Sequence, residues 1–183
     1  PALLLEMVEA IHALGILPFR WLTCDEAFGR DSTFLDQVGH YVWYFAEVDH
    51  DTRVWLTRPQ TAMPAWTGHG RTPTRLQLCA GEPEPSAVAA IAAALSADQW
   101  TRQTIKEGSK GTLIADFAMV RVVAVRDALP GPEVWLVFRR NPVTAELKCY
   151  LSNASEQTPL TTFAWVSGMR WPIETCFENG KQE

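Results

Sequence analysis

Four β-patterned segments follow one another between residues 101 and 153, and only short turns separate them. The longest is TLIADFAMVRVVAV, at residues 112–125. The expected turns are the Gly108–Gly111 stretch, the Pro130–Pro132 stretch and Asn141-Pro142. Strands at such short and regular spacing pair with their neighbours in sequence, so this region predicts an antiparallel meander. Any fold for this chain must therefore include an antiparallel sheet formed from one continuous stretch.

The beginning of the chain follows a different pattern. Its opening residues, PALLLEMVEAIHAL, carry apolar side chains at helical intervals, and Gly15 is a natural C-cap. The apolar stretch ILPFRWLTC then predicts a buried strand that ends at Asp25. A short helix through Val38 follows, which Asp31 or Ser32 can cap.

Gly39 closes that helix, and YVWYFAEV at residues 41–48 predicts a second strong strand. The order helix, strand, helix, strand is typical of a layered α/β domain. Residues 57–85 are instead rich in Pro, Gly and Thr, and helical character returns from Thr158 to the end. We therefore predict an α/β core, residues 1–56 and 158–183, interrupted by a β-rich insertion at residues 57–157.

Shorter helical elements are expected within the insertion. SAVAAIAAALS predicts an alanine-rich helix beginning at Ser86, and Ser96 with Gln99 has the spacing of a capping box.

The four cysteines lie far apart without a CxxC pair, which disfavours a zinc site or a disulfide framework and fits a reducing compartment. A net charge of −5 argues against a protein that simply coats nucleic acid. A local basic stripe could still bind nucleic acid.

Two acidic residues are candidates for catalysis. Asp25 follows a strand, where ligand sites of open α/β sheets gather, although a loop aspartate often only caps a turn. Glu174 lies in RWPIETCFENGK, in the first turn of a helix that Pro172 can open. Arg170 lies four residues before Glu174 and Lys181 seven residues after it, so all three can share one helix face, or form an ordinary solvated one.

Taken together in order, WLTCDEAFGRD, YVWYFAEVDHDTRVW, the β insertion and RWPIETCFENGK resemble the DDE-type transposases of bacterial insertion sequences. In that family the second catalytic aspartate ends a strand in a pattern like T-x-D-E-x-Y-G, which Thr23, Asp25, Glu26 and Gly29 match. The third acid follows Y-x-x-R-x-x-x-E-x-x-x-x-x-x-K, matched by Arg170, Glu174 and Lys181, with Ser167 in the tyrosine's place. The resemblance implies a ribonuclease-H-like core interrupted by the insertion.

The resemblance also implies the chemistry. Asp25 and Glu174 are expected to be catalytic and to bind metal, two Mg²⁺ or Mn²⁺ ions in the complete enzyme, while Arg170 and Lys181 contact DNA phosphates. The expected partner is double-stranded DNA, both transposon ends and target, with a homodimer in the assembled complex. We expect a bacterial cytoplasmic location at the nucleoid and no membrane association.

The family's first catalytic aspartate belongs to a strand that the implied order places before Pro1. Asp31, Asp36 and Asp49 all follow Asp25 and are poor substitutes by topology. Because the chain also begins with proline instead of methionine, we expect it to be a fragment that alone cuts DNA poorly or not at all. Two alternatives remain open: an inactive nucleic-acid-binding or assembly module that keeps the fold, and an unrelated protein in which Asp25 and Glu174 lie far apart.

Several other residues have competing interpretations. Trp66, in the loop AWTGHGR, is a candidate for stacking on a base or for an interface. A basic bias over residues 50–110 is either a DNA-backbone track or an ordinary solvated surface. It comes from Arg53, Arg58, Arg71, Arg75, Arg102, Lys106 and Lys110. Cys24 precedes Asp25, but a buried, inert thiol is favoured over a nucleophile.

Overall fold

A computed structural model describes residues 2–15, 18–108 and 111–169 of the 183-residue chain. Its α-helices are α1 (Ala2–Leu14), α2 (Glu26–Gly29), α3 (Ser32–Val38), α4 (Val88–Ala94) and α5 (Leu160–Gly168). A short 3-10 helix spans Ala97–Gln99. None of the helices in these described ranges is long and apolar enough to cross a membrane.

Ten strands accompany the helices. The first five are β1 (Trp21–Cys24), β2 (Trp43–Val48), β3 (Arg53–Trp55), β4 (Thr61–Ala62) and β5 (Gln77–Leu78). The others are β6 (Ser86–Ala87), β7 (Thr101–Gly108), β8 (Gly111–Arg126), β9 (Leu129–Arg140) and β10 (Leu147–Ser152). Strands β4 and β5 form a separate two-stranded ladder, and the other eight belong to one sheet.

The large sheet has the order β1-β2-β10-β9-β8-β3-β6, and β7 pairs with β8 beside this path. Strands β1 and β2 are parallel, with Cys24 opposite Ala46, and the other pairs of the sheet are antiparallel. Because β2 bonds directly to β10, the strands of the predicted insertion continue the sheet that the first two strands begin. The chain thus has a mixed α/β fold with a mostly antiparallel sheet.

Two apolar clusters cover the two faces of this sheet. Alternate residues of β2 point to opposite faces, so Tyr44 and Ala46 belong to one cluster and Phe45 to the other. The first cluster takes buried side chains from α1, α3 and α4, and the second takes them from α5, including the fully buried Phe163. Helices on both faces bury the strands from two sides, which explains the apolar runs that β2, β8 and β9 share.

The predicted ends of the first helix and of the helix through Val38 are confirmed. Helix α1 ends before Gly15, whose φ of 63° is the left-handed conformation of a C-cap glycine. Asp31 caps α3 by accepting a hydrogen bond from the backbone N–H of Phe34 at 2.9 Å, and Gly39 closes the helix. Farther along, Ser96 and Gln99 form the expected capping box.

Two predictions about turns and helix starts are wrong. The Pro130–Pro132 stretch lies within β9, and the turn is made by Asp127 and Ala128, with φ values of 50° and 63°. Pro130 is tolerated in the strand because its partner Val125 lies at a register shift, where a ladder hydrogen bond is not required. Ser86 does not begin a helix: it pairs with β3, and α4 starts two residues later.

Candidate active site

Asp25 lies at the carboxyl end of β1, where the chain leaves the sheet and enters α2. Its backbone is extended, and its Oδ1 accepts a hydrogen bond from the N–H of Phe28 at 3.3 Å, which makes Asp25 the N-cap of α2. Among the described residues no donor reaches the other carboxylate oxygen, Oδ2. The half-buried carboxylate is therefore oriented by the backbone, with one oxygen left for a ligand.

Four residues after Asp25, Gly29 lies where α2 packs too closely on β2 to leave room for a side chain. A Cβ added at Gly29 would lie 1.8 Å from the carbonyl oxygen of Glu47 in β2, far inside any real contact distance. The backbone of α2 therefore packs directly on β2 at a position where any side chain would collide with backbone. This close approach fixes the turn that carries Asp25 against the second strand of the parallel pair.

Three charged side chains hold one another at the same end of the sheet. Arg30 donates hydrogen bonds to both carboxylate oxygens of Asp49, with Nη2 to Oδ1 at 2.6 Å, and to the carboxylate of Glu26. The Arg30 guanidinium holds the pKa of Asp49 well below its usual range, at about 2. A hydrogen bond with Asp49 raises the pKa of Glu26. Arg30 thus ties the turn after β1 to the turn after β2.

Sequence reasoning assigned no role to Arg30. The spacing of four residues between Glu26 and Arg30 could have indicated a pair on one helix face. The contact with Asp49, which is 19 residues from Arg30, depends on the parallel pairing of β1 and β2 and has no local signal.

The other candidate acids near Asp25 are engaged elsewhere. Asp31 caps α3. The carboxylate of Asp36 accepts two hydrogen bonds from the guanidinium of Arg126 in β8, at 2.8 and 2.7 Å. Asp49 is bound by Arg30. Each of the three acids considered as a substitute for the family's first catalytic aspartate is therefore already engaged in another contact.

The chemistry of Asp25 fits a hard divalent cation, because carboxylate oxygens are the ligands that Mg²⁺ and Mn²⁺ prefer. One carboxylate does not complete such a site. Within residues 2–15, 18–108 and 111–169, no group of three His, Cys, Asp or Glu side chains could hold an ion.

The predicted partners of Asp25 lie outside the described residues. These are Glu174, Arg170 and Lys181, all of which follow the last described residue, Met169. The helix that precedes them, α5, packs on the sheet face that holds Phe45. Ser167, in the position of the family's tyrosine, turns its hydroxyl back onto the carbonyl oxygen of Ala164 at 2.7 Å.

Cys24 does not have the properties of a nucleophile. Its side chain is buried, and burial, together with the charge of Asp25, raises the pKa of its thiol to about 12. A thiol with so high a pKa stays protonated at neutral pH and is inert. The predicted burial of Cys24 is confirmed, and its role as a structural thiol stays a prediction.

The outer edge of β1 borders an apolar groove. Among the described strands β1 pairs only with β2, so no described strand covers its other edge. A groove of about 430 Å³ lies between this region and α1, lined by Leu4, Met7, Val8, Ile11, Phe19 and Leu22. On α1 the side chains of Leu3 and Met7 are 72% and 52% exposed. An open strand edge beside an apolar groove is the kind of surface that accepts an added strand.

A family model described as DDE superfamily endonuclease matches residues 1–112 of the chain. The match includes the parallel strand pair, the Asp25 turn and the Arg30 contacts. No curated protein matches the chain.

Proposed function

The chain belongs to the DDE superfamily endonuclease family, and on this premise we propose that it is part of a DNA transposase. The proposed reaction is metal-dependent phosphodiester cleavage and strand transfer at the ends of an insertion sequence. The observation that carries the proposal is the position of Asp25: at the carboxyl end of a parallel strand pair, oriented by a backbone N–H, with one carboxylate oxygen that no donor among the described residues reaches. The wider proposal includes double-stranded DNA as substrate, a homodimeric complex and a bacterial cytoplasmic setting.

In the proposed site Asp25 and Glu174 together hold Mg²⁺ or Mn²⁺. Divalent ions held by these carboxylates would supply the activation of an attacking oxygen and the stabilisation of a leaving oxygen. Arg170 and Lys181 bind phosphate oxygens of the DNA beside the carboxylates. Arg170 does so through its planar guanidinium, and Lys181 through the positive charge of its ammonium group. The role of Asp25 is to present an oriented charge, because its Oδ1 accepts the cap hydrogen bond from the backbone N–H of Phe28.

The proposed core is ribonuclease-H-like, with β1 and β2 as two of its parallel strands and residues 57–157 as its insertion. We also propose that the first catalytic aspartate arrives on a strand that pairs with the open edge of β1. A strand at that edge would bring its side chains next to Asp25 and cover the apolar groove beside α1. The 183-residue chain is then a fragment that lacks one metal ligand.

Metal binding by the 183-residue chain tests the role of Asp25. Free and bound Mn²⁺ can be distinguished by electron paramagnetic resonance during a titration. We expect Asp25→Asn to weaken Mn²⁺ binding at least tenfold. Asp31→Asn is the matched control, because Asp31 caps a neighbouring helix by the same type of hydrogen bond and asparagine preserves a cap. Equal binding by wild type and Asp25→Asn would refute the proposed role of Asp25.

A plasmid-nicking assay tests the missing ligand. With Mg²⁺ or Mn²⁺ present, we expect the 183-residue chain to leave supercoiled plasmid intact or nick it only slowly. Robust nicking that Asp25→Ala abolishes would show that the three acids are already present in this chain, and that the proposed strand at the β1 edge is unnecessary for catalysis.

A further inference from the structure

Residues 56–85 form an excursion from the sheet between β3 and β6, which we call the arm. Strands β4 and β5 pair within it, and its base is fixed by three hydrogen bonds. Trp55 Nε1 donates to the carbonyl oxygen of Pro83 at 2.8 Å, and Arg53 donates to that of Pro85 at 3.0 Å. Arg58 donates to the carbonyl oxygen of Gly131 in β9 at 2.9 Å. The arm is thus held to the sheet at its base.

The tip of the arm, residues 63–76, presents an exposed tryptophan. Trp66 is 55% exposed, and its Nε1 donates to the carbonyl oxygen of Gly70 at 3.3 Å across a turn. Gly68 and Gly70 have φ values of 86° and 75°, which only glycine adopts without strain. The turn therefore fixes the indole by its N–H while more than half of the side chain remains exposed.

The segment that contains this tryptophan carries arginines and no acidic residue, and one of these arginines, Arg58, pairs with Glu133 of β9. Between Asp51 and Glu82 the chain has four arginines and no acidic residue, although its net charge is −5. Arg71 and Arg75 are exposed and make no ion pair or side-chain hydrogen bond with any described residue. Arg102 and Arg126, in contrast, are each paired with an aspartate. The tip is therefore a local positive surface on an acidic protein.

This combination fits a nucleic acid better than a protein partner. Unpaired arginines bind phosphate oxygens, and an exposed aromatic ring stacks on bases irrespective of sequence. The arm leaves the sheet at β3, five strand spacings from β1, which places its base up to about 24 Å from the Asp25 edge. That span corresponds to about seven base pairs of DNA.

We propose that the arm binds the DNA substrate away from the cleaved bond, with Arg71 and Arg75 on the backbone and Trp66 stacked on an unpaired base. This inference rests on the proposed function, because it assumes DNA as the substrate. It adds a second contact region to the one at Asp25 and assigns a distinct task to each side chain of the tip.

Salt dependence of DNA binding tests the two arginines. Fluorescence anisotropy of a labelled 30-base-pair duplex gives Kd for the 183-residue chain at several salt concentrations. We expect the double variant Arg71→Ala/Arg75→Ala to lower the slope of log Kd against log salt by about 1.8, since each lost phosphate contact removes about 0.9. Arg71→Lys/Arg75→Lys should retain the wild-type slope. Arg20→Ala, which removes an exposed arginine outside the arm, should also leave the slope unchanged.

Comparison of two DNA probes tests Trp66. The first probe is the intact duplex, and the second has the same sequence with a short single-stranded gap. We expect Trp66→Ala to weaken binding to the gapped probe about tenfold and to the intact duplex much less, whereas Trp66→Phe should bind both probes like the wild type. An unchanged slope in the arginine variant, or an equal effect of Trp66→Ala on both probes, overturns the proposal.

The proposals for the arm and for Asp25 can fail separately. Asp25→Asn should lose Mn²⁺ binding and keep the wild-type salt slope, while the arm variants should show the reverse. If Trp66→Ala instead abolishes self-association in sedimentation experiments and leaves DNA binding unchanged, the tip is a protein interface. That result would overturn the arm proposal and leave the role of Asp25 intact.

Discussion

Charged side chains near Asp25 are paired with one another, whereas the arginines at the tip of the arm make no ion pair with a described residue. Beside Asp25 the charged groups of Glu26, Arg30 and Asp49 are locked in one network, and the aspartate itself is oriented by a backbone N–H. At the tip, Arg71 and Arg75 have no partner within the described part of the chain. One region is pre-organised by the fold, whereas the other leaves its charges available to solvent.

This difference fits the demands of two tasks. A metal ligand must occupy one position within a fraction of an ångström, and a network of hydrogen bonds supplies that order. A backbone contact to DNA tolerates variation, because its energy comes largely from counterion release and not from fixed geometry. The comparison therefore predicts that substitutions at the Asp25 end disturb folding, whereas those at the tip disturb only binding.

The largest expected contrast is between Trp55, the residue of β3 that precedes the arm, and Trp66 at the tip of the arm. Trp55 is 2% exposed at the base, whereas Trp66 is 55% exposed at the tip. We expect Trp55→Ala to lower the free energy of unfolding by about 3–5 kcal/mol, through a cavity and an unpaired carbonyl at Pro83. Trp66→Ala should change it by less than about 0.5 kcal/mol. Urea denaturation measures both, and equal losses would show that the tip is part of the core.

Gly29→Ala should have the next largest effect. Its Cβ would collide with the backbone carbonyl of Glu47, which cannot move without displacing β2, so we expect a loss of about 3 kcal/mol. Gly168→Ala is the comparison, because the added Cβ would meet a side-chain methyl, Cγ2 of Ile105, at 2.5 Å and no backbone atom closer than 3.7 Å, so its cost should be smaller than that of Gly29→Ala. Thermal and urea unfolding of both variants test this, and a stable Gly29→Ala protein would contradict the close packing of α2 on β2.

The ion network at Arg30 predicts a pH dependence. The pKa of Asp49 is lowered from 3.8 to about 2, so the ionised Asp49 carboxylate stabilises the fold above pH 3.8 and its contribution disappears as the pH falls through about 2. In Arg30→Gln the pKa of Asp49 should return towards 3.8. Carboxyl chemical shifts in an NMR titration report this pKa directly, and a value near 2 in Arg30→Gln would show that Arg30 is not its cause.

The smallest expected effect concerns the stability of the arm variants. Because Arg71 and Arg75 contact no described charge, the double alanine variant should unfold within about 0.5 kcal/mol of the wild type. Its DNA affinity should nevertheless fall. A marked loss of stability would mean that these arginines support the fold, and the contrast between the two regions would disappear.

Local features of the fold were predictable because the sequence carries their chemistry. The cap of α3 by Asp31, the C-cap at Gly15 and the end of the first strand at Asp25 each depend on a few consecutive residues. The turn between β8 and β9 was not predictable in the same way. Two prolines indicated the wrong place, since the turn is made by Asp127 and Ala128, which carry no strong turn signal.

The contacts that organise the site are long-range and have no local signature. Arg30 meets Asp49 only because β1 and β2 pair in parallel, and Asp36 meets Arg126 across 90 residues. The direct pairing of β2 with β10 is likewise a property of the assembled sheet. Sequence could therefore identify Asp25 as a candidate, but not the network that surrounds it. The pairing of Asp25 with Glu174 stays a prediction.

Iron-directed cleavage of the protein tests most directly whether Asp25 and Glu174 share divalent ions. Fe²⁺ bound in place of Mg²⁺, with ascorbate and peroxide, cuts the polypeptide close to the bound ion, and mass spectrometry locates the cuts. We expect cuts near residue 25 and near residue 174, and the loss of both sets in Asp25→Asn and in Glu174→Gln. Cuts near only one of the two residues, or cuts that persist in either variant, would contradict the shared site.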